Sequence, residues 1–267
     1  MRYITPEALL QLRFGPPPWP GWDIAVLCFR GDGGGGALVR KLGARPVGRK
    51  TLYALEESAE WPFVYEVAMG GQRIVLVQRC LWGGPQVAIL VEELACLGVR
   101  VIVGFGVAGS LVETLPKGAQ IVAATGVATD GTSRAYTAAG GVAADHALLG
   151  RVRALGVAQG IPVEPVTVVT VDALYRESPD DVRRWLAAGG QVVNMETSPL
   201  YAAASVCRVQ AVWLGHVSDT LWLSADRWDS WQRPAAFTDV TVALTVALLE
   251  TLTAPRDPSP APRGSGS

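Results

Sequence analysis

Histidine and cysteine are scarce in this chain, and their scarcity limits the metal and redox chemistry that it can support. Among 267 residues there are only two histidines, His146 and His216, so a zinc site is not expected. The four cysteines fall in different predicted elements and show no CxxC spacing; they are Cys28, Cys80, Cys96 and Cys207. This usage predicts unpaired, buried thiols in a reducing cytosol rather than a disulfide framework.

An excess of charge is missing as well. The chain carries 23 Lys and Arg against 24 Asp and Glu, and its basic residues are scattered. Such a surface has no field that would gather nucleic acid or an anionic membrane. The apolar runs, about five to eight residues each, are too short to span a bilayer, and the chain start lacks the apolar segment of a signal peptide. We therefore expect a cytoplasmic protein with neither nucleic acid nor membrane as a partner.

Short β-branched runs alternate with helical patterns along the chain, whose composition is 49% hydrophobic. Continuous apolar runs are typical of strands buried on both faces; they occur at 23–28, 73–78, 100–106, 119–125, 163–171, 190–196 and 209–215. Helical patterns occur at 85–98, 178–190, 198–208 and 235–252. The alternation predicts a single α/β domain over residues 1–253 with a mixed, largely parallel central sheet. The Pro-, Ser- and Gly-rich end, 254–267, is expected to be a disordered tail.

Two acids, Glu196 and Asp219, each follow a short apolar run, and ligands of α/β sheets bind beyond the carboxyl ends of the strands. Glu196 is either a carboxylate stabilised by the N-terminus of the next helix or a buried acceptor for a diol. Asp219 is either a turn or N-cap acid or a general acid. Two acids at adjoining strand ends could divide the work, one holding the substrate and one moving a proton.

Six motifs occur in a fixed order; they are "GGP" (83–85), "GFGVAGSL" (104–111), "DGTSRAY" (130–136), "TVDALYRESPDDVRRW" (170–185), "NMETSPLY" (194–201) and "HVSDTL" (216–221). Together they resemble the nucleoside phosphorylase family, which includes bacterial purine nucleoside phosphorylases and uridine phosphorylases. The resemblance covers roughly residues 22–250. It implies a single α/β domain with a partly barrelled sheet flanked by helices, usually assembled into hexamers from dimers.

The resemblance also implies roles for individual residues. Glu196 is similar to the glutamate that binds the ribose 2′- and 3′-hydroxyls, and Met195 to the methionine beside the sugar. Asp219 resembles the aspartate that protonates the purine ring, and Arg233 the arginine that assists it. Apolar walls for the base are expected from Leu174 and Tyr175, together with Met195, although ordinary core packing is the favoured role for Leu174. The Gln-x-Arg pair of uridine phosphorylases is missing after "DALY" (172–175), which favours a purine-type base.

The phosphate site departs from the family pattern. Gly31 keeps part of the first glycine turn, but the arginine expected there falls among glycines. Gly104 stands where a second arginine is expected, and Val107, next to Gly106, stands where a hydroxyl is expected. The glycine-rich run is either a backbone cradle for an anion or a flexible loop. Arg49 is the candidate for an arginine donated across a dimer.

The sequence therefore predicts an enzyme that cleaves the N-glycosidic bond of a purine-type nucleoside. Phosphorolysis to free base and ribose 1-phosphate is the first expectation, with phosphate as co-substrate and neither cofactor nor metal. The altered phosphate site leaves two alternatives open: hydrolysis by a nucleosidase, or a nucleoside-binding subunit without catalysis. A homo-oligomer, hexamer or dimer, is expected from the resemblance.

Overall fold

We analysed a computed structural model of the chain, which describes residues 2–29, 34–55, 63–225, 227–232 and 234–255. The strands, numbered in chain order, are β1 Ile24–Phe29, β2 Arg45–Pro46, β3 Val64–Met69, β4 Gln72–Cys80, β5 Val101–Ser110, β6 Gln120–Ala128, β7 Gly141–Ala143, β8 Val163–Thr170, β9 Val192–Asn194 and β10 Gln210–Thr220. The α-helices are α1 Pro6–Phe14, α2 Gly34–Leu42, α3 Gly84–Cys96, α4 Gly131–Tyr136, α5 His146–Ala158, α6 Pro179–Ala187, α7 Thr197–Cys207 and α8 Ala235–Thr253. Single 3₁₀ turns lie at Tyr53–Leu55 and Leu174–Arg176.

One mixed sheet of ten strands runs through the described part of the chain. Five of its strands close into a ring, because β5 pairs with β10, β10 with β6, β6 with β8, β8 with β9, and β9 with β5 again. The remaining path extends outward from β5 through β1, β4, β3 and β2. The predicted fold class, a single α/β domain with a partly barrelled sheet, is therefore confirmed.

The apolar runs form the central strands for the reason that the sequence suggests. Every residue of β1 is buried, and nearly every residue of β5 and β10 is buried, so both faces of these strands are covered by side chains. The flanking helices are stabilised at their ends by ordinary capping interactions. Helix α6, for example, starts with a capping box between Ser178 and Asp181, which satisfies otherwise unpaired backbone N–H groups.

Several elements differ from the prediction. The sequence patterns did not predict helices α1 and α5 or the edge strands β2 and β3, and they did not predict helix α4, which lies in the "DGTSRAY" motif. The flexible-loop interpretation of the glycine run is wrong for Gly34–Leu42, which forms α2. Glycine is a poor helix former, so tertiary contacts must hold this turn. Gln78 Nε2 donates to the Gly35 carbonyl at 2.8 Å, and a side chain at Gly34 would overlap Phe105.

Helix α8 corrects the expectation that every apolar segment is short. Its 19 residues are long and apolar enough to cross a membrane by length and composition alone. In the structure, however, Val242, Leu244, Leu248 and Leu249 of this helix are buried in the core. Contacts of α8 with α2, α5 and β10 place it as a covering layer of the sheet. Most of the predicted tail, 256–267, lies outside the described residues.

Candidate active site

A pocket opens where the ends of β9 and β10 meet β5. Its lining residues come from β1, β5, β9 and β10 and from the segments that follow β8, β9 and β10; they are Phe29, Val107, Ala108, Gly109, Leu174, Glu177, Val193, Asn194, Met195, Glu196, Ser218, Asp219 and Trp231. Gly109 of β5 is the register partner of Val193 in β9 and of Asp219 in β10. A Cβ at Gly109 would lie 3.2 Å from Asp219 Oδ2 and 2.7 Å from Leu221 Cδ1. Glycine therefore lets the two acid-bearing strands approach β5 closely.

Glu196 lies at the N-cap of α7 and is only 6% exposed. Its backbone is fixed by Asn194, whose Oδ1 accepts from the N–H groups of Glu196 and Thr197, each at 3.2 Å. The Glu196 carboxylate accepts from the N–H of Met195 at 3.2 Å and from the N–H of Gly83 at 3.4 Å. The carboxylate is thus held at a helix N-terminus, a position that stabilises negative charge, while it also faces the pocket.

Asp219 lies inside β10, beside an irregularity in the pairing with β5 between Val217 and Asp219. Strand β10 continues to Thr220, beyond the predicted end at 215, so the N-cap interpretation of this acid is wrong. Both carboxylate oxygens accept hydrogen bonds: Ser218 Oγ donates to Oδ1 at 2.7 Å, and Trp228 Nε1 donates to Oδ2 at 2.9 Å. The acid is 6% exposed and its orientation is fixed from two sides.

The residues after β10 form what we call the tryptophan segment, 222–232, of which residue 226 lies outside the described part. Thr220 and Asp229 exchange backbone hydrogen bonds at 3.1 and 3.2 Å, and Gln232 N–H donates to the Ser218 carbonyl at 2.8 Å. Lys117 Nζ pairs with Asp229 Oδ1 at 2.6 Å and donates to the Ser230 carbonyl at 2.7 Å. These contacts fasten the segment over the end of β10, beside Asp219.

The apolar residues of the lining include Phe29, Val107 and Ala108. At Gly104, further back along β5, a Cβ would lie 2.7 Å from Trp213 Cδ1 and 2.9 Å from Leu200 Cδ2. The space into which a side chain at position 104 would point is therefore filled by the core. Among the described lining residues there is no lysine or arginine, whereas three are carboxylic acids.

The structure brings together some of the predicted site residues and separates others. Asp219, Glu196, Met195, Leu174 and Val107 all line the pocket. Three others do not line it: Gly106 is buried against Trp213, while Tyr175 and Arg49 are exposed. The position of Tyr175, with 95% of its surface accessible, makes it unsuitable as an apolar wall within this chain. Gly31 and Arg233 lie outside the described residues, and all these roles stay predictions.

Sequence reasoning missed other lining residues, above all Glu177, Trp231 and Phe29. The cluster of tryptophans at 222, 228 and 231 was an available signal, because large amphipathic rings rarely crowd an ordinary surface loop. His216, in contrast, is a core residue and does not line the pocket. It is buried in β10, and its Nδ1 lies 3.1 Å from Thr241 Oγ1.

A third buried acid lies outside the pocket. Glu93 of α3 is 2% exposed, and its Oε2 accepts from the N–H of Ala54 at 3.3 Å. Burial raises the pKa of Glu93 from 4.5 to about 7. Its Oε1 has no hydrogen-bond partner within the described residues. Glu93 therefore shows how burial raises the pKa of a carboxyl group in this fold.

A five-strand ring with buried acids at one end, flanked by helices, defines a class of α/β proteins with a ligand pocket at the sheet end. Comparison with known proteins identifies the family within that class. The sequence profile of the Phosphorylase superfamily matches residues 23–253. The chain belongs to this superfamily, a family of enzymes that cleave glycosidic bonds.

Individual relatives share only modest sequence identity with this chain. A "Purine nucleoside phosphorylase DeoD-type" from Caldanaerobacter subterraneus subsp. tengcongensis is 31% identical over 178 residues, which cover 65% of this chain and 76% of that protein. A crystal structure of purine nucleoside phosphorylase from Toxoplasma gondii with immucillin-H superposes with a TM-score of 0.72 at 20% identity, covering 87% and 92% of the two chains. A 5′-methylthioadenosine/S-adenosyl homocysteine nucleosidase from Campylobacter jejuni superposes with a TM-score of 0.66 at 13% identity, covering 86% and 100%. Phosphorolytic and hydrolytic enzymes thus share this fold.

Proposed function

We propose that this protein cleaves the N-glycosidic bond of a purine-type nucleoside and passes the sugar to water. The proposal names a nucleosidase, in contrast to the phosphorolysis expected first from the sequence. The observation that carries it is the composition of the described pocket lining, which includes the buried acids Glu196 and Asp219 and the apolar residues Phe29, Val107 and Ala108 but no lysine or arginine.

Glu196 is proposed to bind the sugar. Its buried carboxylate faces the pocket beside Met195, and a carboxylate can accept hydrogen bonds from two neighbouring hydroxyls. Hydrogen bonds to a charged group contribute about 1.5–3 kcal/mol each. Cleavage of the glycosidic bond builds positive charge on the sugar, so the same carboxylate also stabilises the transition state.

Asp219 is proposed to act on the base. The departing base gains negative charge as the bond breaks, and a proton donor near the base offsets this charge. Ser218 and Trp228 donate to Asp219 and hold it in one orientation. Arg233, outside the described residues, remains a proposed assistant of this acid.

Water is the proposed acceptor because the described pocket suits a phosphate dianion poorly. Besides the proposed proton donor Asp219, the lining includes Glu177 and Glu196, and these carboxylates would repel an anion unless cations offset them. Gly104 and Val107 lack the charged and hydroxyl groups expected for phosphate. The loss of two such contacts corresponds to roughly 3–5 kcal/mol, or several hundredfold or more in phosphate affinity.

Phosphorolysis is the second candidate, favoured by the 31% identical DeoD-type phosphorylase. Helix α2 begins with Gly34–Gly36, and backbone N–H groups at a helix N-terminus bind anions. In that case an exposed arginine such as Arg49 would have to come from a neighbouring subunit of a homo-oligomer, hexamer or dimer. We propose a cytoplasmic enzyme without cofactor in either case.

The test is base release from adenosine, inosine, guanosine and uridine in phosphate-free buffer and again with phosphate. The proposal predicts release from the purine nucleosides in both buffers at the same rate, and free ribose as the sugar product. Release that requires phosphate supports the phosphorylase instead. Release from none of the four, with nucleoside binding retained, supports a binding subunit without catalysis.

A further inference from the structure

The tryptophan segment supplies side chains that the proposed reaction has not yet used. Trp231 lines the pocket together with Asp219 and Leu174. Trp228 packs edge-on against Trp231, with ring centroids 4.7 Å apart and planes at 80°. Two large aromatic rings therefore meet at the pocket, one on its wall and one against its acid.

Both rings remain accessible although the segment is fastened. Trp228 is 46% and Trp231 37% exposed, which is a large apolar area for side chains on a segment held by backbone bonds and by Lys117. Keeping these apolar ring surfaces in contact with water is unfavourable. Tryptophan is suited to binding surfaces, because its ring offers an apolar face while its N–H bonds a polar group.

We infer that Trp231 is a specificity-determining wall on which the planar base stacks, and that Trp228 is the positioning residue that ties this wall to Asp219. The inference rests on the proposed function and adds the residues that select an aromatic leaving group. An indole face attracts a base through π-stacking. The indole N–H of Trp228 meanwhile donates to Asp219 Oδ2 at 2.9 Å, so the acid and the stacking surface form one unit.

This arrangement predicts selection by ring area. A purine covers more of an indole face than a pyrimidine does, so a purine gains more from the wall. It also predicts that Asp219 and Trp228 contribute to base binding together rather than separately, because a hydrogen bond joins them.

The test uses free adenine and hypoxanthine as probes, with dissociation constants from isothermal titration calorimetry. Trp231→Leu should weaken purine binding ~5- to 150-fold, the range for one stacked base, whereas Trp231→Phe should retain most of the affinity. Trp222→Phe is the matched control, because its indole bonds Ser110 Oγ at 3.3 Å and lies outside the pocket lining. It should bind purine as the parent does.

The positioning role is tested by a double-mutant cycle on the same dissociation constants. Trp228→Phe, Asp219→Asn and the double variant should be non-additive by about threefold or more. If the enzyme turns over, Trp228→Phe should also lower kcat about tenfold or more with little change in KM. Both tryptophans are partly exposed, so their replacement should leave the fold intact. Thermal unfolding of each variant verifies this.

The outcomes separate this inference from the proposed function. Purine binding that depends on Trp231 and couples Trp228 to Asp219 supports the inference even if no nucleoside is cleaved. Parent-like purine binding in Trp231→Leu, or additive effects in the cycle, overturns it even if the parent protein is an active nucleosidase.

Discussion

The acidic and the apolar residues of the pocket differ in how they are held and in what they offer a ligand. Glu196 and Asp219 are buried, oriented by hydrogen bonds and in contact with the pocket. Phe29 and Val107 are apolar lining residues, and the core fills the space into which a side chain at Gly104 would point. Under the proposed function, this contrast separates the groups that would break the bond from the residues that would meet the acceptor.

The contrast also explains why the fold alone does not reveal the acceptor. Glycosidic cleavage needs groups that offset charge on the sugar and on the base, and we propose Glu196 after β9 and Asp219 in β10 for these roles. The acceptor needs only access to the sugar and, for phosphate, positive charge. In our proposal that second requirement falls to a few side chains of β1 and β5, which can change without altering the sheet.

The largest expected effect comes from replacing Asp219, the proposed proton donor. Asp219→Asn should lower kcat by ~10²–10⁴, the usual contribution of general acid catalysis. Asparagine keeps the size of the side chain, so nucleoside affinity should change far less than turnover. Steady-state kinetics together with calorimetric binding check this. Equal losses in kcat and affinity would contradict a catalytic role for Asp219.

A smaller loss is expected at the sugar. Glu196→Gln should reduce kcat/KM roughly 10²-fold, because a neutral amide replaces a carboxylate in hydrogen bonds worth about 1.5–3 kcal/mol each. A 2′,3′-dideoxynucleoside should lose this sensitivity, since it lacks both hydroxyls. Glu92→Gln is the control, because Glu92 pairs with Arg2 and Tyr136 away from the pocket. Similar losses in both variants would contradict sugar recognition by Glu196.

Glu93 sharpens the comparison, since it is a buried acid that does not line this pocket. Its folded-state pKa of about 7 lies above the ordinary 4.5. Its contribution to stability is therefore complete below pH 4.5 and is lost as the pH rises toward 7, by up to roughly 3 kcal/mol. Glu93→Gln should remove this part of the pH dependence between pH 5 and 8, measured by urea unfolding. Parallel curves for the variant and the parent would show that Glu93 does not titrate in this way.

The smallest expected effect is a loss of stability on substitution of Gly104 in β5. Gly104→Ala should destabilise the protein by about 1–3 kcal/mol, the usual cost of overpacking a core, because the new methyl would meet Trp213 and Leu200. Gly150→Ala in α5 is the matched control: its Cβ meets nothing within 4 Å, so it should be neutral or slightly stabilising. Equal melting temperatures for both variants would show that the space at Gly104 is open.

The sequence predicted more of the sheet than of the site. Continuous β-branched runs indicated β1, β5 and β10 because burial on both faces requires such residues. The helix from Gly34 escaped prediction, since its glycines disfavour a helix and Gln78 and Phe105 hold it through contacts distant in sequence. The acids were predictable from their positions after apolar runs. Trp228 was not assigned to Asp219, because a loop must fold back nine residues to bring the two together.

The most direct test of the central claim is the partition of the sugar product over a range of phosphate concentrations. Phosphorus NMR of the reaction mixture detects ribose 1-phosphate, and proton NMR detects free ribose. Our account predicts free ribose as the only sugar product at every phosphate concentration, with an unchanged rate. Ribose 1-phosphate that increases with phosphate, at the expense of free ribose, would contradict it.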